Sequence, residues 1–188
     1  ETMTELIEYY KGIFTILSSC ASRQLEEVTF RRTVIPVQEL LDAAGKYFKK
    51  LMKNRSERIE LEIEPIEAKV IGDVNQLRFL LENLIDEALT VREDGVIRLQ
   101  ARKDNEYIRF LFTDTRREKS VEELNQLFYP NLARMTSGEK GELRGTEYLV
   151  CKQIIRDHDE FAGRRGCRIN AEPAEGGGFT VYFTIPRR

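Results

Sequence analysis

The sequence predicts an α+β fold: a two-layer sandwich of a mixed sheet with helices on one face. Three observations point there. Segments that alternate apolar and polar residues, such as Arg58-Ile59-Glu60-Leu61-Glu62-Ile63-Glu64, read as half-buried strands and come mostly in pairs. Between the pairs lie stretches with apolar residues at three- and four-residue spacing, such as Val74, Leu77, Leu81, Leu84, Ile85 and Ala88, which read as helices facing a core. Finally, 188 residues at 41% hydrophobic content suffice for one core with a helical extension. Paired strands alternating with helices suit a sheet covered on one side.

The elements follow in order. Met3, Leu6, Tyr10, Ile13, Leu17 and Cys20 form one narrow apolar seam, so an N-terminal helix is expected. It is too short to require a coiled coil, and two readings stay open: packing on its own domain, or pairing with a second copy. Thr29 to Ile35 reads as a short strand. Pro36 suits the start of a helix running to about Lys53, with Val37, Leu40, Leu41, Ala44, Phe48 and Leu51 inward. After the strand at 58–64, Ala68 to Ile71 reads as another, ended by Gly72-Asp73, and Asp73 can cap the helix that begins at Val74. Gly95 breaks that helical pattern. Val96 to Ala101 and Tyr107 to Phe112 then read as paired strands joined by a turn at Asp104-Asn105-Glu106. Ser120 with Glu123 matches a capping box for a short helix around Leu124 to Phe128. Residues 130–146 are polar and rich in Gly and charge, which reads as a mobile loop. A helix from about Thr146 to Asp157 and two strands, Cys167 to Ala171 and Phe179 to Ile185, complete the chain.

Composition narrows the function classes. Lys and Arg number 30 against 32 Asp and Glu, so charge gives no reason to expect a nucleic acid or anionic membrane partner. No apolar run approaches the ~20 residues that cross a bilayer. Cys20, Cys151 and Cys167 are scattered and odd in number, which argues against a zinc site or a disulfide framework and for reduced, buried thiols. The single histidine, His158, sits in Asp157-His158-Asp159 and is expected to cap a helix or lie on the surface. The chain begins at Glu1 without a Met, so the expectation is a piece of a longer protein.

Several phrases, in this order, carry a resemblance. They are Gly72-Asp73 before a helix holding Asn83-Leu84-Ile85-Asp86-Glu87-Ala88, then Gly95-Val96-Ile97-Arg98, Phe112-Thr113-Asp114-Thr115, Leu127-Phe128-Tyr129-Pro130, Lys152-Gln153-Ile154-Ile155 and Gly177-Gly178-Phe179-Thr180-Val181-Tyr182-Phe183-Thr184-Ile185-Pro186. Together they resemble the catalytic and ATP-binding domain of sensor histidine kinases, in the GHKL ATPase superfamily, and imply its Bergerat fold over residues 28–188. Residues 1–27 then resemble the end of the dimerisation helix that precedes this domain.

The resemblance implies a nucleotide cleft, and the residues at its positions can be weighed. Asp114 matches the carboxylate that accepts the adenine amino group; read alone, it is a turn former at a strand end. The glycines expected two and four residues later are replaced by Arg116 and Glu118, although only Gly lets a backbone pass close to a ligand. Asn83 fills the first position of the asparagine motif, and Glu87 stands at the magnesium position. A carboxylate can ligate Mg²⁺, but without metal it repels a triphosphate. Read alone, Asn83 and Glu87 are a solvated pair one helical turn apart. Of the second glycine box only Gly145 survives, and Glu147 sets negative charge at a helix start that should bind phosphate.

The expectation is therefore a signal-transduction module, histidine-kinase-like, that has lost ATP-dependent phosphoryl transfer. Asn83, Glu87, Asp114 and Gly145 form its vestigial cleft, with no catalytic residue and no cofactor. The alternative is a divergent active two-component kinase, with ATP at Asp114 and Mg²⁺ at Glu87. A third reading places an anion near Arg134, Lys140 and Arg144 in the old cleft. Partners are expected to be signalling proteins, with a homodimer through residues 3–20 as one reading of the N-terminal helix. The location expected is cytoplasmic, including the cytoplasmic part of a membrane-bound sensor.

Overall fold

The computed structural model describes residues 3–7, 30–130, 145–162 and 166–188. The strands are β1 (Thr33–Pro36), β2 (Ile59–Ile63), β3 (Lys69–Gly72), β4 (Gly95–Asp104), β5 (Tyr107–Asp114), β6 (Ile169–Pro173) and β7 (Phe179–Pro186). The helices are α1 (Val37–Met52), α2 (Val74–Ala88), α3 (Val121–Asn125) and α4 (Glu147–Phe161). β1 and β3 pair antiparallel as a small ribbon, and the main sheet has the order β2-β4-β5-β7-β6. β2 and β4 run parallel, the remaining pairs antiparallel. A parallel neighbour needs a crossover, and the chain supplies it by passing through β3 and α2 between β2 and β4. This is the mixed sheet that the sequence pattern predicts.

Alternation fixes which side of the sheet is covered. Ile97, Leu99 and Ala101 of β4, Ile108, Phe110 and Phe112 of β5, and Val181, Phe183 and Ile185 of β7 are buried on one face. Phe110 and Phe183 are register partners and their rings stack with centroids 4.8 Å apart. The opposite face carries ion pairs between strands, Arg98 to Glu62 and Arg102 to Glu64. α1 covers the apolar face with Val37, Leu40, Leu41, Ala44 and Phe48, and α2 with Leu77, Leu80, Leu81, Leu84 and Ile85.

The helix starts obey local chemistry. Asp73 caps α2, accepting from the amides of Asn75 and Gln76 at 3.0 and 3.1 Å. Ser120 and Glu123 make the expected capping box of α3. That box opens the helix at Val121, so α3 ends at Asn125 rather than spanning Leu124 to Phe128. Turns then carry Leu127 and Phe128 into the core. Helix α4 runs on to Phe161, beyond the expected stop at Asp157. Cys151, Ile154, Ile155 and His158 follow one helical face inward, so His158 belongs to the buried stripe rather than to a polar end. This overturns the surface reading of His158, whose side chain is 0% exposed.

Cys151 and Cys167 are free and buried, and burial pushes both thiols up, Cys167 to about 12. The N-terminal seam beyond residue 7, the segment 131–144 with Arg134, Lys140 and Arg144, and Cys20 lie outside the described residues. Residues 3–7 are helical, with Met3, Leu6 and Ile7 exposed. Among the described residues no helix is long and apolar enough to cross a membrane.

Candidate functional site

Three elements meet at one end of the sheet. β5 is the central strand of the five, and it ends on Asp114, whose neighbours in register are Ile97 and Phe179. α2 crosses beside it and carries Asn83 and Glu87 on one face. α4 begins close by, and its Tyr148 donates a hydrogen bond to Glu87 Oε2. Gly178 makes the close approach of β7 possible. It holds φ at 85°, and a Cβ there would stand 2.2 Å from the carbonyl oxygen of Asp114.

Asp114 is not an exposed turn former. Its side chain is 1% exposed, and two arginines share it. Arg116, equally buried, donates from Nε to Oδ1 and from Nη2 to Oδ2, both at 3.0 Å. Its backbone amide adds a third bond to Oδ1 at 3.0 Å. Arg117 Nε reaches Oδ2 at 2.9 Å. Burial alone would raise the carboxyl, but the Arg116 hydrogen bonds and both guanidinium charges outweigh it and hold Asp114 below the usual carboxylate range.

Arg117 links the two carboxylates of the cleft. Its Nη1 and Nη2 bind Glu87 Oε1 and Oε2 at 2.9 and 2.7 Å, a bidentate pair. Its guanidinium carbon also stands 5.3 Å from the centre of the Phe179 ring. Burial works against the Arg117 charge, yet Glu87 more than compensates and raises its proton affinity. Tyr148 is pushed up by burial and by the Glu87 charge, so it remains a phenol that donates. Its ring packs edge-on against Phe128 at 5.7 Å. The solvated pair expected at Asn83 and Glu87 is thereby corrected. Asn83 is buried and its amide donates to Phe79 O at 2.8 Å, while Glu87 is held by an arginine and a tyrosine.

The remaining positions lie at the rim. Gly145 takes φ of 81° just ahead of Thr146, which precedes α4 without offering a side-chain cap. Glu147 follows, and its Oε2 is buried without a hydrogen-bond partner among the described residues. Burial, reinforced by the charges of Glu87 and Asp86, raises its carboxyl. Glu118 is exposed. So Glu87 and Asp114 come together through Arg117, Asn83 sits one turn back on α2, and Gly145 opens the helix that delivers Tyr148. Two participants, Arg117 and Tyr148, carried no role in the sequence reading. The signal available was the doubled Arg116-Arg117 directly after a strand-end carboxylate.

No curated protein sequence matches the chain. Its fold is similar to that of a mycobacterial sensor histidine kinase, MprB, with a TM-score of 0.64 at 19% identity over 84% of this chain and 99% of that one. The nucleotide-free catalytic domain of histidine kinase ThkA gives 0.65 at 21% identity, covering 84% of this chain and 96% of that one. A ThkA structure in complex with the response regulator TrrA aligns over 100% of this chain and 52% of that one, with a TM-score of 0.64 at 19% identity. The family profile described as histidine kinase-, DNA gyrase B-, and HSP90-like ATPase matches residues 72–188, the stretch holding α2, the Asp114 strand end and α4. The chain therefore belongs to the histidine kinase-, DNA gyrase B-, and HSP90-like ATPase family, with the fold of a sensor histidine kinase catalytic domain.

Proposed function

We propose that this domain is a histidine-kinase-like signalling module in which ATP-dependent phosphoryl transfer has been lost and which acts through protein contacts. The observation that carries the reading is the Asp114 carboxylate, both of whose oxygens bind guanidinium groups of the same chain. ATP and Mg²⁺ do not fit the residues as they stand. A nucleotide amino group would have to displace Arg116 from Asp114, and a metal at Glu87 would have to displace Arg117 and Tyr148. Breaking one buried ion pair costs about 3–5 kcal/mol. That is enough to weaken a micromolar ligand to roughly the millimolar range. Glu147 adds to the barrier, because its charge lies at the α4 start near Glu87.

The vestigial cleft then consists of Asn83, Glu87, Asp114 and Gly145. The partner class is a response-regulator-type protein, as the ThkA complex with TrrA suggests by analogy of fold. A second reading, a divergent active kinase, draws on one observation: Asp114 still ends the central strand beside an Asn-bearing helix. Isothermal titration of the wild-type chain with ATP and Mg²⁺ decides between them. The expected result is no binding at micromolar strength; a micromolar isotherm would replace the first reading with the second.

A further inference from the structure

Arg116 is held as a bound ligand is held. Guanidinium has five N–H donors, and all five are used. Nε and one Nη2 hydrogen go to Asp114, and the other Nη2 hydrogen goes to Ala88 O at 2.6 Å. Nη1 donates to Val91 O and Glu93 O, both at 2.9 Å. The side chain is 1% exposed.

The three carbonyls lie at and just past the end of α2. Ala88 is the last residue of α2, and Val91 and Glu93 lie in the connection from α2 to β4, so only the Ala88 carbonyl is the helix's own, and it also accepts from the Val91 amide at 3.3 Å. The carbonyl end of a helix carries partial negative charge. No basic residue stands in the last turn of α2 to meet it. Arg116 meets the three carbonyls from the end of β5, with Asp114 as its counter-ion. The slot is shaped by Gly95, at φ 147°, where an added Cβ would stand 2.5 Å from Arg116 Cγ.

We propose that Asp114, the end of α2 and the connection that follows it form a guanidinium-binding pocket, and that Arg116 is its permanent intrachain ligand. The proposal deepens the reading above by naming what fills that site. It treats the pocket as preformed: three carbonyls and one carboxylate converge on a planar cation and would accept one supplied from solution. Lys cannot replace Arg here, because an ammonium group offers three donors on a point and not five in a plane.

Chemical rescue tests this. Arg116→Ala removes the atoms of ethylguanidinium, so that cation is the probe and ethylammonium at equal concentration is the control. The variant is expected to melt about 10 °C below wild type, because Asp114 keeps only Arg117 as a guanidinium partner and the carbonyls of Ala88, Val91 and Glu93 lose the donors of Arg116, in a chain of this size. Ethylguanidinium should recover at least half of that loss, ethylammonium none of it, and neither should raise the melting temperature of wild type. Equal recovery by both cations, or an Arg116→Ala chain as stable as wild type, overturns the proposal. If Arg116→Ala does not fold, Arg116→Lys is measured instead. A clear loss of stability is expected, and wild-type stability would overturn the proposal. The two readings fail separately. ATP binding by the wild-type chain ends the functional reading and leaves the rescue intact, while unselective rescue ends the pocket and leaves ATP binding as it was.

Discussion

His158 uses both ring nitrogens inside the core. Nε2 accepts from the backbone amide of Asp73 at 3.1 Å, so Nδ1 carries the proton and donates to Ile154 O at 2.8 Å. The ring also meets Phe30 edge-on at 4.7 Å. Protonation would set an Nε2–H donor against the Asp73 amide that already points there, and burial lowers the imidazole to about 4, against weaker upward pulls from its Ile154 hydrogen bond and the charge of Asp73. The folded value lies below the unfolded value of 6.5, so the unfolded chain binds more protons between them. Stability is then complete above pH ~6.5 and falls as pH drops toward ~4, by up to about 3 kcal/mol. Glu147, whose carboxyl is raised, acts in the opposite sense, and Asp114, whose carboxyl is lowered, contributes only at still lower pH. Urea denaturation across this range should show the decline in wild type. His158→Asn should be less stable at pH 7 by about 1–3 kcal/mol but should lack the His-dependent slope. An unchanged slope in the variant would assign the decline elsewhere. The sequence could show that His158 lay near a helix end, but not that its face turned inward, because Asp157 and Asp159 on either side made the segment look solvated. The same limit hid Arg117. A charged residue after a strand reads as surface until its partners, Glu87 some 30 residues earlier and Asp114, are seen to converge on it.

At the scale of elements, strands were legible wherever alternation was strict, as in β2, where Glu60 and Glu62 separate three apolar residues. β4 runs three residues past the expected Ala101 because Arg102, Lys103 and Asp104 still pair with β5, a backbone fact that polar side chains do not advertise. Helix ends were legible through caps at Asp73 and Ser120, and illegible at the end of α4, where burial extends the helix. The end of α2 shows how elements can depend on one another. The Ala88 carbonyl at its end and the Val91 carbonyl just past it are met by Arg116 from the end of β5, and Gly95 leaves room for that visit. Gly95→Ala should cost about 3 kcal/mol, partly from the positive φ and partly from collision with Arg116 Cγ. In an Arg116→Ala background the collision is gone and only the backbone strain remains. A double-mutant cycle by chemical denaturation should therefore give a coupling of roughly 1–2 kcal/mol. Strict additivity would mean that Gly95 does not serve the Arg116 slot.

At the scale of the molecule, one core cluster draws on residues from Ile35 to Ile185 and includes both the helices and the sheet. None of its members comes from residues 3–7, where Met3, Leu6 and Ile7 are 73%, 53% and 51% exposed. An apolar seam left uncovered is either frayed or waiting for a partner. The sequence expectation sets a boundary near residue 28, and, among the described residues, 3–7 stand outside the core that residues 35–185 bury. We therefore predict that a protein of residues 28–188 unfolds within about 3 °C of the full chain, since residues 3–7 add nothing to the core. Its association should differ. If Met3, Leu6 and the seam that continues to Cys20 hold two copies together, sedimentation of the full chain will show a dimer that dissociates on dilution, while residues 28–188 will sediment as a monomer at every concentration. A monomeric full chain would remove the dimer reading and leave the domain boundary standing. A truncated chain that melts far below the parent would do the reverse, because it would place part of the seam inside the fold.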